Sequence, residues 1–142
     1  MKLRNSNANE IDDDKLILSL EESKFKATIV GIILSKNTER AVELISRKFN
    51  VKAPLLGIGP TKGKKKALAV YSVAANTILF RDQDSFFDPF VVLHEMYHCI
   101  RSTSGSHKGT EKNADKFAIE YIETYRSLVS GIPTILRVSQ VD

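Results

Sequence analysis

Residues 91–100 read VVLHEMYHCI. A decamer this apolar belongs in a core, yet it carries His94, Glu95 and His98, three groups that water solvates well. The preceding Asp88-Pro89 is a helix start, with Asp as N-cap and Pro at the first helical position, where its missing N–H costs nothing. A helix from there to about Arg101 sets His94 and His98 on one face, one turn apart. Two neutral imidazoles so placed can share one metal ion, and Glu95, rotated by one residue, can address a water beside that ion. Zinc fits such a site: it takes imidazole, keeps an open position in catalytic centres and lowers the pKa of water toward ~7, so that a glutamate can take its proton.

Such a site needs a third ligand. The spacing used by metzincins requires a histidine at position 104, where this chain has Ser104. His107 follows in a Gly/Ser-rich loop, 102–109, with no helical register to aim it. The segment from Thr110 to about Val129 is better placed. Ala114, Phe117, Ala118, Tyr121, Ile122, Tyr125 and Leu128 form one apolar stripe. Traced backward, the stripe passes through Glu111, with Asp115 about 40° from it, whereas Lys112, Asn113, Lys116 and Glu120 fall on the opposite side. Glu111 and Asp115 are therefore expected to face the core. Glu111 is then the third ligand, and Asp115 accepts the N–H of a ligand histidine. Cys99 points about 100° away from His98 and reads as core.

The rest of the chain frames these two helices. Residues 1–10 are polar and expected to be disordered, residues 11–131 form a single domain, and residues 132–142 are a tail beyond Gly131-Ile-Pro133. Asp12 to Lys36 has a helical pattern, with Gly31 speaking against one unbroken helix. Asn37-Thr38 can cap a second helix whose face is Ala41, Leu44, Ile45, Lys48 and Phe49. The runs ALAVYSV and TILFRD around a short break read as an antiparallel hairpin. The fold class is α+β: a small sheet beside the two helices, with helices N-terminal to it.

Composition narrows the setting. The chain has 142 residues, 42% hydrophobic and 27% charged, which suits one soluble domain. No apolar run is long enough for a membrane span, and the basic N-terminal residues are not followed by a signal-like apolar stretch. The lone Cys99 fits a reducing compartment, so the expected address is cytoplasmic, with no membrane partner. The net charge of +4 is mild and largely local to TKGKKK at 61–66, which reads as a solvated turn rather than a nucleic-acid surface. Gly59 to Lys65 mimics a phosphate loop but has too few residues between its glycines, and Lys65 stands where Ser or Thr should bind magnesium.

The pattern His94-Glu95-x-x-His98, followed by Glu111-x-x-Ala114-Asp115-x-Phe117-Ala118, resembles that of the glutamate zincins (gluzincins). Within them it is most similar to the ImmA/IrrE-type peptidases. AVELISRKFNVKAP resembles that family's N-terminal helix, and ALAVYSVAANTILFRD its hairpin, so the likeness runs from about Thr38 to Tyr125. The resemblance implies a three-stranded sheet beside two active-site helices and one zinc per chain on His94, His98 and Glu111. It also implies that Glu95 is the general base, that Asp115 orients a histidine and that the substrate is a protein or peptide, often one dedicated regulatory protein. One departure stands out: Tyr97 replaces the small residue, often Gly, that commonly precedes the second histidine in the family. The first ~35 residues show no helix-turn-helix pattern.

Since gluzincins dock substrate on an edge strand above the metal, Thr77, Ile78, Leu79, Phe80 and Arg81, which alternate sides just before the zinc helix, are the expected substrate-binding strand if its outer edge is unpaired. The alternative is an interior strand with both edges taken. A second electrophile for the oxyanion is sought among His107, Tyr97, Tyr121 and Arg101, with His107 favoured because its loop joins the two ligand helices. The leading expectation is a zinc-dependent endopeptidase. The alternative is a non-catalytic, zinc-stabilised module that binds protein or nucleic acid. Glu95 separates them, because a structural zinc site needs no additional carboxylate and usually fills its fourth position with protein.

Overall fold

The computed structural model describes residues 2–61, 66–103 and 109–131, with side chains from residue 12 onward. Among these residues the order is α1 (Lys2–Leu34), α2 (Thr38–Lys48), β1 (Leu55–Ile58), β2 (Ala69–Ser72), β3 (Thr77–Phe80), α3 (Gln83–Phe86), α4 (Pro89–Thr103) and α5 (Glu111–Gly131). The class is α+β, with one small mixed sheet. No helix among the described residues is long and apolar enough to cross a membrane.

α1 runs unbroken through Gly31 and begins at Lys2, within the stretch expected to be disordered. A Cβ at position 31 would make only an ordinary contact, 3.7 Å from Cε1 of Tyr125 on α5, so neither space nor conformation demands the glycine there. Lys36 ends the helix in the left-handed conformation, φ 66, while its N–H bonds Ile33 O and the N–H of Asn37 reaches Ile32 O. α2 ends in the same way on Asn50, φ 54, with Val51 N–H on Ser46 O. The α2 cap differs from expectation, since Asn37 makes no side-chain cap. Thr38 instead donates its buried hydroxyl to Phe86 O at 2.7 Å, tying α2 to the end of α3.

The expected hairpin forms: β2 pairs antiparallel with β3, and Asn76 turns the chain with φ 44. β1 then joins β3 in parallel, so the strand order is β1-β3-β2. α3 was not legible in the sequence, although Asp82 and Ser85 cap it reciprocally. The Asp88 cap holds, with Phe90 N–H on its Oδ1 at 2.9 Å. One hydrophobic cluster joins the layers: Ile29 and Ile33 of α1, Ile45 of α2, Ile78 and Phe80 of β3, and Leu93 and Met96 of α4 are all inaccessible to solvent. α4 is thus clamped between sheet and helices, which fixes the direction of every side chain on its remaining face.

Candidate metal centre

His94 and His98 stand side by side on α4, ring centroids 5.0 Å apart, with side chains 12% and 2% exposed. The first turn of α5 crosses above them. Glu111 Oε1 lies 2.7 Å from His98 Nε2, and its Oε2 lies 3.1 Å from His94 Nε2. Behind the ring, Asp115 Oδ1 is 2.8 Å from His94 Nδ1. An ionised carboxylate only accepts, so Asp115 calls for the proton of His94 on Nδ1. That leaves the Nε2 lone pair of His94 facing an oxygen of Glu111, acceptor against acceptor. The contact is favourable only with a positive charge between them, either a second imidazole proton or a metal cation. One ligand atom from each of His94, His98 and Glu111 lies within 4.8 Å of the others, so the three could hold a metal ion. Two imidazoles and a carboxylate are a donor set that suits zinc.

Electrostatics agrees with this arrangement. Burial pushes the Glu111 carboxyl up, but His94 and His98 beside it outweigh that and bring it below its ordinary value. Glu95 is 8% exposed, with Oε2 3.8 Å from His94 Nε2, so a carboxylate flanks the site without occupying the third ligand position. A cleft of about 200 Å³ opens beside these groups, lined by Ala67, Leu68, Ala69, Phe90, Val91, His94, Glu95 and Glu111.

Several expectations change. Glu111 and Asp115 meet the histidines as expected, yet they do not lie in the core: their side chains are 76% and 48% exposed. The stripe of α5 becomes buried at Ala114 and Ala118, and its first turn overhangs the edge of the domain. The strand Thr77, Ile78, Leu79, Phe80 cannot receive a peptide by edge pairing, because β3 is central and both its edges are taken by β1 and β2. Arg81 continues the same pairing, its N–H on Leu68 O. His107 lies outside the described residues, as do Lys62 to Lys65 of the basic loop. Tyr121 is buried against Phe25 and Phe117, about 15 Å along α5 from Glu111, and does not line the cleft. Arg101 is exposed toward the end of α4 and is not in the cleft lining.

Tyr97 also stays out of the cleft. Its ring packs beside His98 and Phe117 and over the backbone of Gly109, where an added Cβ would lie 2.5 Å from Tyr97 Cε2. Gly109 has φ +85, so glycine is demanded there twice, by conformation and by space. The ring therefore braces the entry to α5, two residues before Glu111. This pairing was not readable beforehand, since nothing in spacing links positions 97 and 109. Phe90 and Val91 had a signal, standing four and three residues before His94 on its own helix face. Cys99 is core as expected, its thiol on Asn76 Oδ1 at 3.6 Å, which also accepts from the Tyr71 hydroxyl at 2.8 Å. Burial raises both groups, the Tyr71 hydroxyl to about 12.

No family model, curated protein or solved structure matches this chain.

Proposed function

We propose that this chain is a zinc-dependent endopeptidase of the gluzincin kind, similar to the ImmA/IrrE-type enzymes. The observation that carries the reading is the convergence of His94 Nε2, His98 Nε2 and the Glu111 carboxylate, with Asp115 behind His94 and Glu95 alongside. A zinc ion on His94, His98 and Glu111 would supply a Lewis acid that polarises a carbonyl and acidifies water. Glu95 then accepts a proton from the attacking water and delivers it to the leaving amine. Asp115 keeps His94 in the tautomer whose Nε2 is available as a ligand.

Sheet topology supports an extended peptide as substrate, docked on β2 rather than β3. β2 turns Leu68 O inward to Arg81 N, and the alternation of an antiparallel pair then directs the N–H and C=O groups of Ala69 and Tyr71 outward. Among the described residues no strand covers that edge, and Ala67 to Ala69 line the cleft beside His94. The apolar walls, Phe90 and Val91, suit an apolar side chain next to the scissile bond.

The test pairs metal content with proteolysis of a degenerate peptide library. About one zinc per chain is expected after reconstitution. Glu95→Gln should keep the zinc and lose cleavage by about 10²–10⁴-fold. A chain that binds zinc, and whose cleavage is absent or equally slow with and without the Glu95→Gln substitution, is a zinc-stabilised binding module and not a peptidase. Absence of stoichiometric zinc removes both readings.

A further inference from the structure

α1 is used unevenly along its length. Ile29, Val30 and Ile33 are buried in the domain, but Leu16, Ile17, Leu18 and Leu20 are 57%, 53%, 62% and 53% exposed. Leu16, Ile17 and Leu20 fall within about 100° of helix circumference, so they form a stripe rather than a scatter. The flanking charges indicate what covers it. On the stripe's own face lie exposed Asp13, three residues before Leu16, and exposed Lys24, four after Leu20. Glu22 is engaged by Lys48 and Lys26 by Glu120, while Glu21 lies outside the stripe, about 40° beyond its Ile17 edge. Asp12, Asp13 and Asp14, all exposed, repel an anionic lipid surface.

We propose that this stripe is the contact between two copies of the chain, paired as antiparallel helices about a two-fold axis near Leu18. One register then serves both the stripe and its charges: Leu16 of each copy lies over Leu20 of the other, and Asp13 of each comes within one residue, about 1.5 Å along the axis, of Lys24 of the other. A parallel pairing stacks Asp13 on Asp13 and Lys24 on Lys24, and is disfavoured by like charge. The contact is isologous and closes on itself, so it makes dimers and not filaments. With few side chains per copy it falls below the ~1,200 Å² of a standard interface, so the dimer is weak and forms only as concentration rises. The metal centre, carried by α4 and α5, takes no part in the contact.

The experiment is sedimentation of the full, zinc-reconstituted chain from about 1 to 500 µM, since a weak contact is populated only toward high concentration. A reversible monomer–dimer equilibrium is expected. Leu16→Glu with Leu20→Glu should be monomeric throughout, with helical circular dichroism and zinc content unchanged because both side chains are exposed. Asp13→Lys should weaken the dimer by about fivefold or more. Adding Lys24→Asp should restore it. A chain monomeric at every concentration, whether or not it floats with anionic vesicles, overturns the proposal, as does a dimer that survives the double Glu substitution. Failure of the charge exchange to recover affinity overturns the antiparallel register.

Discussion

The two halves of the candidate metal centre are built in opposite ways. α4 offers His94, Glu95 and His98 from a helix packed on nearly all sides, and their side chains are 12%, 11% and 2% exposed. α5 offers Glu111 and Asp115 from an overhanging first turn, 76% and 48% exposed. The buried half cannot adjust without disturbing the core, since Leu93, Met96 and Cys99 on the same helix are inaccessible. The exposed half is held by the site itself and by the Tyr97–Gly109 contact at the helix entry. One half is therefore made by folding, and the other is completed by what it binds.

Removing one ligand from each half puts this contrast at greatest risk. His98→Ala and Glu111→Ala should both abolish stoichiometric zinc, measured by elemental analysis after desalting. They should part in stability without metal. His98→Ala empties a buried position and costs about 2 kcal/mol or more, whereas Glu111→Ala removes a largely exposed group and costs less than about 1 kcal/mol. Equal losses in chemical denaturation would show that the two halves do not differ in the way described.

Next in size is Asp115→Ala. It leaves all three ligands in place and should weaken zinc by about 10–100-fold in chelator competition, with Asp115→Asn recovering part of the loss. An unchanged affinity would mean that the 2.8 Å contact to His94 does not orient the ring.

The brace between the halves is tested by a double-mutant cycle. Gly109→Ala meets both the positive φ and the Tyr97 ring, and should cost about 1–3 kcal/mol and weaken zinc. Tyr97→Ala should lessen the cost of Gly109→Ala, a coupling that strain at position 109 alone does not produce. Tyr97→Phe should behave like the unmodified chain, because the ring and not the hydroxyl does the bracing.

The smallest effect serves as a control that lies in neither half. Asp82 caps α3, and the Ser85 backbone N–H, followed by the Ser85 hydroxyl, holds its carboxyl below its ordinary 3.8. A depressed carboxylate stabilises fully above its unfolded pKa, and the contribution fades as pH falls through the lower folded value. Asp82→Ala should therefore narrow the difference in stability between neutral pH and pH ~3 slightly, relative to the unmodified chain, without touching zinc affinity. A change in zinc affinity would link α3 to the site.

Much of this was legible in residue order, and the reason is local geometry. His94 and His98 share a face because any helix puts i and i+4 together, and Asp88-Pro89 announces where that helix starts. Glu111 and Asp115 were found by extending one stripe backward along one helix. The β2–β3 hairpin followed from two β-rich runs and a short turn. Each of these inferences stays within a single element or a single turn.

What the order of residues could not decide lies between elements. Which strand is central depended on where β1 pairs, and a parallel partner some twenty residues upstream leaves no mark on TILF; its arrival closed the β3 edge and left the edge of β2 open beside the cleft. That Glu111 overhangs at the surface depended on how far along α5 the contact with α4 reaches, a packing distance that periodicity does not encode. The Tyr97–Gly109 contact depended on how α5 is set against α4, which places Gly109, just before its first turn, within van der Waals reach of the Tyr97 ring. Residue order thus settled which chemical groups share a helix face, because backbone periodicity is intrinsic to the chain. Which edges, clefts and ligands stay open was settled by packing alone, because exposure is set by the neighbours that arrive.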